Sequence, residues 1–148
     1  MHFSSGIHYF DTTAAAQKYY AKLLTPLCEE LDLTRNELDV ILFLYNNPEF
    51  DRATDIVSRR GISKSHVSLS VSTLEEKGLL IRRFDENDRR AAHLELTQDG
   101  IAIAARGREL QIQYFAAMYQ GISQEELQIW KNIVLKVQEN IKNFDQLL

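Results

Sequence analysis

The length, composition and charge of this chain exclude several classes of protein. Its 148 residues, of which 45% are apolar, suffice for one well-packed domain but not for two independent ones. No apolar run approaches the ~20 residues that a membrane span requires, and the single cysteine, Cys28, cannot form an intramolecular disulfide. We therefore expect a cytoplasmic protein with one core and no membrane partner.

Positive charge is concentrated in the middle third of the chain. The net charge of the whole chain is −4, yet residues 52–93 contain nine Lys or Arg and six Asp or Glu, a net charge of +3. The flanking segments together carry −7. This asymmetry is typical of a protein in which one part faces phosphates and another faces solvent or a partner.

Two amphipathic helices are predicted in the first third of the chain. Residues at alternating spacings of four and three predict a helix over residues 7–31, which Pro26 should kink or end early. Thr34 and Glu37 have the spacing of a capping box, which predicts a second helix that runs from there until Pro48.

Two short helices joined by a glycine turn follow. Residues 53–60 are compatible with a helix that ends at Gly61, and Ser63 can cap a further helix that ends at Gly78. The predicted buried stripe of this further helix consists of Val67, Val71 and Leu74. Two short helices with a tight turn between them are the sequence pattern of a helix-turn-helix.

Beyond Gly78 the pattern changes from helical to extended. Residues 79–84 and 91–96 are apolar-rich or alternating, and the polar residues 85–90 between them predict a β-hairpin with a charged tip. A helix-turn-helix followed by a hairpin is a winged helix, in which one helix enters the major groove and the hairpin reaches the adjacent minor groove. The expected fold is mainly α with a small β-hairpin.

Two long helices complete the prediction. Thr97 can cap a helix that extends to about residue 119, and Ser123 with Glu126 has the spacing of a second capping box. The last helix, predicted to exceed 20 residues, carries a seam with spacings of three and four. The seam consists of Leu127, Trp130, Val134, Val137, Ile141, Phe144 and Leu148. Such a seam requires a partner and predicts a homodimer.

The wing carries the most specific pattern in the chain. Asp88-Arg89-Arg90-Ala91, followed by residues 94–100 with the sequence LELTQDG, resembles the wing signature of the MarR (multiple antibiotic resistance regulator) family of transcription regulators. Residues 27–34 are similar to the linker between the first two helices of that family. Residues 62–68 and 74–80 resemble its recognition helix and the exit from it.

The resemblance implies an organisation for residues 1–148 as a single domain. The winged helix-turn-helix would cover residues 33–97, and the helical dimerisation parts would be residues 1–32 and 98–148. The predicted interface residues are Phe10, Leu127, Trp130, Val134, Val137, Ile141 and Phe144. In such a dimer the two wings meet DNA half-sites about one helical turn apart.

The predicted DNA-binding residues lie on the recognition helix and on the hairpin. On the helix they are Lys64, Ser65, His66, Ser68, Leu69 and Ser72, and on the hairpin they are Arg82, Arg89 and Arg90. Serine hydroxyls can bond base edges or phosphates, and Leu69 can contact a thymine methyl, although such serines also suit a solvated helix face. The resemblance implies that Arg90 reaches into the minor groove and that Asp88 holds it.

The main functional prediction is a transcription regulator, a repressor that binds a pseudo-palindromic duplex and is released by a small-molecule effector. Many proteins of the resembled family have basic residues where Leu69 and Thr73 stand here. Each lost phosphate contact lowers the salt dependence of binding by a slope of about 0.9. The alternative is therefore a helical dimerisation or adaptor protein that keeps the winged scaffold without tight DNA binding.

No motif in the sequence predicts an enzyme, a cofactor or a metal site. A nucleophile elbow, a glycine-rich phosphate loop and a metal-binding helix motif are absent, and the four histidines lack metal-ligand spacing. Cys28 lies on an apolar stripe and is predicted to be a buried small residue rather than a redox sensor. One aromatic and histidine cluster can line an effector cleft or pack in the dimer interface: His2, Phe3, His8, Tyr9, Phe10 and Tyr20.

Overall fold

The computed structural model describes the backbone of residues 5–85 and 88–144 and the side chains of residues 11–84 and 92–144. Its elements, in chain order, are α1 (Ser5–Leu31), α2 (Arg35–Asn46), α3 (Ala53–Arg60), α4 (Lys64–Glu76), β1 (Leu80–Asp85), β2 (Asp88–Leu96), α5 (Gln98–Met118) and α6 (Gln124–Lys142). The predicted fold, mainly helical with one small hairpin, is confirmed. The chain forms two compact units, residues 1–114 and residues 115–148.

Helix α1 continues past the proline at position 26. Of the two predicted effects of Pro26, a kink or an early end, the early end is wrong, because α1 runs to Leu31. The turn after the proline buries Leu27 and Cys28, which are only 5% and 9% exposed. Full burial of an apolar side chain contributes about 1.5–3 kcal/mol, which offsets the backbone hydrogen bond that proline removes.

The helix ends follow the caps that the sequence predicts. The Thr34 hydroxyl accepts from the Glu37 amide at 3.2 Å, and the Glu37 carboxylate accepts from the Thr34 amide at 3.0 Å. Ser123 and Glu126 form the same reciprocal pair at the start of α6, with distances of 3.2 and 2.8 Å. Gly61 ends α3 with a φ of +65°, in the left-handed region that favours glycine.

The core of the first unit forms around helix α4. This helix packs against α2, α3 and β1, and its predicted stripe is buried, with Val67, Val71 and Leu74 each at most 2% exposed. The fully buried side chains of α2 and α3 that pack in the same cluster are Val40, Ile41, Phe43 and Ile56. This packing holds the two helices of the helix-turn-helix together and leaves the other face of α4 outward.

The hairpin pairs β1 and β2 in antiparallel register, from Leu80 opposite Leu96 to Phe84 opposite Ala92. Strand β2 begins at residue 88, three residues earlier than predicted. Charged residues in a sequence are typical of a turn. An antiparallel strand with one face toward solvent also accommodates them.

Helix α5 begins where a side chain would not fit. A Cβ on Gly100 would lie 2.1 Å from the Leu79 carbonyl oxygen. That carbonyl accepts from the Thr97 amide at 3.1 Å, and the Thr97 hydroxyl donates to the Gly78 carbonyl at 2.8 Å. The same hydroxyl accepts from the Gly100 amide at 3.2 Å. The glycine therefore lets the start of α5 approach the segment that leaves the recognition helix.

The second unit presents an apolar helix face to solvent. None of the described residues of α6 is fully buried. Trp130, Val137 and Ile141 are 52%, 45% and 55% exposed, and Leu127 and Val134 are half-buried. Helix α6 has 19 residues, fewer than predicted, so Phe144, 52% exposed, lies beyond its end. The seam residue Leu148 and the side chain of Phe10, a predicted interface residue, lie outside what the structure describes.

Candidate nucleic-acid interface

The N-terminus of α4 presents the first group of predicted DNA-binding residues. The Ser63 hydroxyl accepts from the His66 amide at 3.3 Å and lies 3.1 Å from Ser65 Oγ and 3.0 Å from His66 Nδ1. Lys64, Ser65 and His66 are all exposed. A helix N-terminus offers free amide groups and partial positive charge, both of which favour a phosphate.

The outward face of α4 is polar apart from one large apolar side chain. Ser68 is exposed and Leu69 is 66% exposed, one helix turn after the group at the N-terminus. Ser72 is half-buried, and its hydroxyl accepts from Arg82 Nη2 at 3.0 Å. The Ser68 hydroxyl and the Leu69 methyl groups are therefore the more accessible groups for base edges on this face.

Arg82 joins the wing to the recognition helix. Its Nη1 donates to Glu75 Oε2 at 2.7 Å, while its Nη2 donates to Ser72. Both acceptors lie in the C-terminal half of α4, so the guanidinium holds β1 against this helix. Its side chain is 30% exposed. The predicted contact of Arg82 with DNA stays a prediction.

The base of the wing is fixed by the loop before α3. The Leu94 amide donates to the Asp51 carbonyl at 2.7 Å, and His93 Nδ1 lies 2.9 Å from both Asp51 carboxylate oxygens. On β1 and β2, Arg83 forms an ion pair with Glu95. The side chains of three predicted wing residues lie outside those that the structure describes: Asp88, Arg89 and Arg90. Their backbone forms the start of β2.

A cavity of about 550 Å³ lies between α3, α4 and the wing. Three cationic residues line it, Arg52, Lys64 and Arg82, together with Ser68. Arg82 is already bonded to Glu75 and Ser72, so Arg52 and Lys64 are the cations of this lining that suit a phosphate backbone. The sequence patterns did not single out Arg52, because it stands just before α3, outside any helical periodicity. Its place at the start of the positively charged segment was the available signal.

A second cavity, of about 340 Å³, lies at the corner between α1 and α2 and is lined by Thr25, Cys28, Asp32 and Arg35, among others. Arg35 Nε donates to Asp39 Oδ1 at 3.0 Å. Within the described part of the chain, Arg35 Nη1 is buried without a hydrogen-bond partner. An unpaired buried donor costs about 1–3 kcal/mol, more when it is charged. The lining of this cavity also includes two carboxylate side chains, Glu29 and Asp32.

Tyr20 connects this corner to α5 and to the end of α2. Its ring centroid lies 4.7 Å from Arg35 Cζ, and its hydroxyl accepts from Gln111 Nε2 at 2.6 Å. The Gln111 side-chain oxygen accepts from Asn46 Nδ2 at 2.9 Å. The other members of the predicted aromatic and histidine cluster have side chains outside those described: His2, Phe3, His8, Tyr9 and Phe10.

Cys28 is buried, as predicted. Burial raises the pKa of its thiol, which disfavours the thiolate, the reactive form of cysteine. Among the described residues, no cluster of His, Cys, Asp or Glu has an arrangement that could hold a metal ion. Nor does any described helix combine the length and hydropathy of a membrane span.

Residues 31–91 match the sequence profile of the MarR family. The winged helix-turn-helix of this chain is therefore similar to that of the MarR family. This match covers α2 to the start of β2 and includes Lys64 and Ser68 of α4 and Arg82 of β1. The resemblance seen in the sequence is therefore confirmed. MarR-family proteins are transcription regulators, and the predicted class agrees with that.

Solved structures of MarR-family regulators share the fold. One, from Listeria monocytogenes and complexed with a 26mer DNA, is 20% identical with a TM-score of 0.78, covering 90% of this chain and 87% of its own. NadR in complex with 4-hydroxyphenylacetate is 20% identical with a TM-score of 0.74, covering 92% and 93%. BpsR of Bordetella bronchiseptica, whose DNA binding is regulated by 6-hydroxynicotinic acid, is 19% identical with a TM-score of 0.67, covering 88% and 98%.

Proposed function

We propose that this protein is a cytoplasmic transcription repressor that binds a pseudo-palindromic duplex site as a homodimer and is released by a small-molecule effector. The observation that carries the proposal is the outward face of α4, where exposed Lys64, Ser65 and Ser68 lie beside a cavity lined by Arg52 and Arg82. A polar helix face flanked by cations combines base contacts with phosphate neutralisation.

In this proposal α4 enters the major groove and the hairpin follows the DNA backbone to the minor groove. Ser65, Ser68 and Leu69 face base edges, and Lys64 and Arg52 face phosphates. Arg90, with Arg89 beside it, enters the minor groove, where one guanidinium reads groove width more than sequence. Arg82 supports the wing through Glu75 and Ser72, at 2.7 and 3.0 Å.

The second copy in the homodimer would cover the apolar face of α6. Trp130, Ile133 and Ile141 are 52%, 54% and 55% exposed. Burying each such side chain contributes about 1.5–3 kcal/mol. In a twofold dimer the same face of both copies is buried, so each residue of the face contributes once from each copy. Two winged helices would then meet two half-sites of a pseudo-palindromic DNA.

The corner cavity near Arg35 supports a carboxylate effector. Buried Arg35 Nη1 has no hydrogen-bond partner among the described residues, and a carboxylate oxygen is a strong acceptor for a guanidinium. The Tyr20 ring lies beside the same guanidinium. Two relatives of similar fold involve aromatic carboxylic acids, 4-hydroxyphenylacetate for NadR and 6-hydroxynicotinic acid for BpsR, and we propose this chemical class for the present chain.

A second candidate is a helical dimerisation or adaptor protein with weak or no specific DNA binding. The outward face of α4 favours it at one point, because exposed Leu69 cannot contact a phosphate. The Thr73 hydroxyl already donates to the Leu69 carbonyl at 3.1 Å. Both features reduce the number of phosphate contacts and hence the non-specific affinity.

Fluorescence anisotropy separates the two candidates. Labelled genomic duplexes, including the region upstream of the protein's own gene, are titrated from about 50 to 200 mM salt beside a scrambled duplex of equal length. A specific regulator is expected to bind one fragment with a Kd near 10⁻⁸ M or below, roughly a thousandfold or more tighter than the scrambled control. Equal and weak binding to every duplex would support the adaptor.

A further inference from the structure

One lysine ties the end of the recognition helix to the corner between α1 and α2. Lys77 follows the last residue of α4. Its ammonium group donates a hydrogen bond to the Asp32 carbonyl oxygen and lies 3.4 Å from Glu37 Oε2. Asp32 follows α1, and Glu37 lies in the first turn of α2. A single cation therefore links the end of α4 to the end of α1 and the start of α2.

The two acceptors of Lys77 are well suited to hold it in place. Glu37 is 5% exposed and also accepts from the Thr34 amide, so its carboxylate cannot swing away without opening the cap of α2. Asp32 has a φ of +51°, a left-handed conformation that costs an L-residue about 1–2 kcal/mol. A cation next to the end of α1 also complements the negative end of the helix dipole.

The position of Lys77 sets it apart from the cations of the candidate DNA surface. Its ammonium points to the α1–α2 corner, whereas Arg52 and Lys64 line the cavity beside the outward face of α4. The wing is tied to the same end of α4 by Arg82 through Glu75, two residues before Lys77. The C-terminal end of the recognition helix is thus held from two sides.

We propose that Lys77 is a positioning residue for DNA recognition: it holds α4 against the α1–α2 corner at the angle that the major groove requires, without contacting DNA itself. This inference rests on the proposed function. Asp32, whose carbonyl receives the lysine, also lines the corner cavity.

The test compares variants on the tightest-binding genomic duplex recovered with the wild-type protein. Lys77→Met keeps the aliphatic stem and removes the ammonium, and Lys77→Arg keeps the charge. Asp32→Asn is the matched control, because it removes the nearby carboxylate but keeps the backbone carbonyl and tolerates a positive φ. The readouts are the Kd, the slope of log Kd against log salt, and thermal unfolding.

We expect Lys77→Met to weaken binding by roughly threefold to thirtyfold, the range for residues that act on a site without touching its ligand. The salt slope should stay unchanged, Lys77→Arg should restore most of the affinity, and Asp32→Asn should bind like wild type. Glu37→Gln, which keeps the cap of α2, should weaken binding in the same direction. It replaces Lys77→Met if that variant does not fold.

Three results would overturn the inference while the wild type still binds DNA. The first is an unchanged Kd for Lys77→Met and Glu37→Gln. The second is a salt slope reduced by about 0.9 in Lys77→Met, which marks a lost phosphate contact. The third is a failure of Lys77→Arg to restore affinity. If the wild type recovers no specific duplex, the proposed function fails first and this inference fails with it.

Discussion

The guanidinium of Arg82 lies 2.7 Å from the carboxylate of Glu75, which ties the first strand of the wing to the recognition helix. The two side chains are 30% and 39% exposed. Ion pairs at this degree of exposure contribute about 0–1 kcal/mol to the free energy of unfolding. The pair therefore contributes little to stability. Its structural effect is to orient the wing.

Replacing Arg82 should separate orientation from direct DNA contact. We expect Arg82→Met to change the free energy of unfolding by less than about 1 kcal/mol and to weaken DNA binding by about 0.5–2 kcal/mol. The salt slope should not change, because the guanidinium is already occupied by Glu75 and Ser72. Arg83→Met, on the same strand, is the control. A slope reduced by about 0.9 would instead show a phosphate contact.

Arg90→Ala tests the wing tip. If Arg90 fills the minor groove, its removal should weaken binding to nearly all duplexes by about 1–3 kcal/mol. The reason is that an arginine in the minor groove responds to the width of the groove rather than to the base sequence. Anisotropy with specific and scrambled duplexes measures both effects. Arg108→Ala on α5, an exposed arginine outside the proposed interface, is the control. An unchanged affinity for Arg90→Ala would contradict the assignment of the wing.

Gly100→Ala should destabilise the first unit far more than Gly107→Ala. The new Cβ at position 100 would lie 2.1 Å from a backbone carbonyl oxygen, whereas at position 107 it would lie 2.8 Å from the movable end of Leu42. Forced backbone shifts typically cost about 1–3 kcal/mol, while alanine in a helix gains up to about 1 kcal/mol over glycine. Urea unfolding of both variants measures the difference, and equal midpoints would refute the close approach.

Ile141→Glu should disrupt the proposed homodimer. A carboxylate on the exposed apolar face of α6 would be buried in the dimer without a partner, at a cost of several kcal/mol. Gln138→Glu adds the same charge at an exposed polar position of that helix and should leave association intact. Sedimentation velocity at micromolar concentration compares the two variants with wild type. A wild type that sediments as a monomer would remove the dimer from the proposal.

Arg35→Met should weaken the binding of an aromatic carboxylate at the α1–α2 corner. Calorimetry with 4-hydroxyphenylacetate as probe should show binding to wild type. The free energy of binding to the variant should be weaker by about 1.5–3 kcal/mol, the value of a hydrogen bond to a charged group. Arg106→Met, on α5, is the control, since its partner is Glu30 at 2.7 Å. Equal binding to both variants would place the effector elsewhere.

The sequence by itself determined the order of the elements and the faces they bury. Caps and periodicity act within one or two helical turns, so the pairing of Thr34 with Glu37 and the stripe of Val67, Val71 and Leu74 follow from local spacing alone. The wing pattern indicated the resemblance to the MarR family for the same reason, because its charged tip, strand and cap stand at fixed offsets along the chain. The end of α1, the start of β2 and the end of α6 departed from the local rules.

The tertiary structure decided which partners the charged side chains take. Lys77 and the Asp32 carbonyl are 45 residues apart in sequence, and nothing near either of them indicates the other. In sequence Arg82 is indistinguishable from a DNA-contacting arginine, and only the fold places Glu75 beside it. Arg35 likewise resembles an ordinary surface cation, although one of its nitrogens is buried. A long flexible side chain can reach solvent, DNA or a distant carbonyl, and only the packing of the helices determines which of these lies within hydrogen-bond distance.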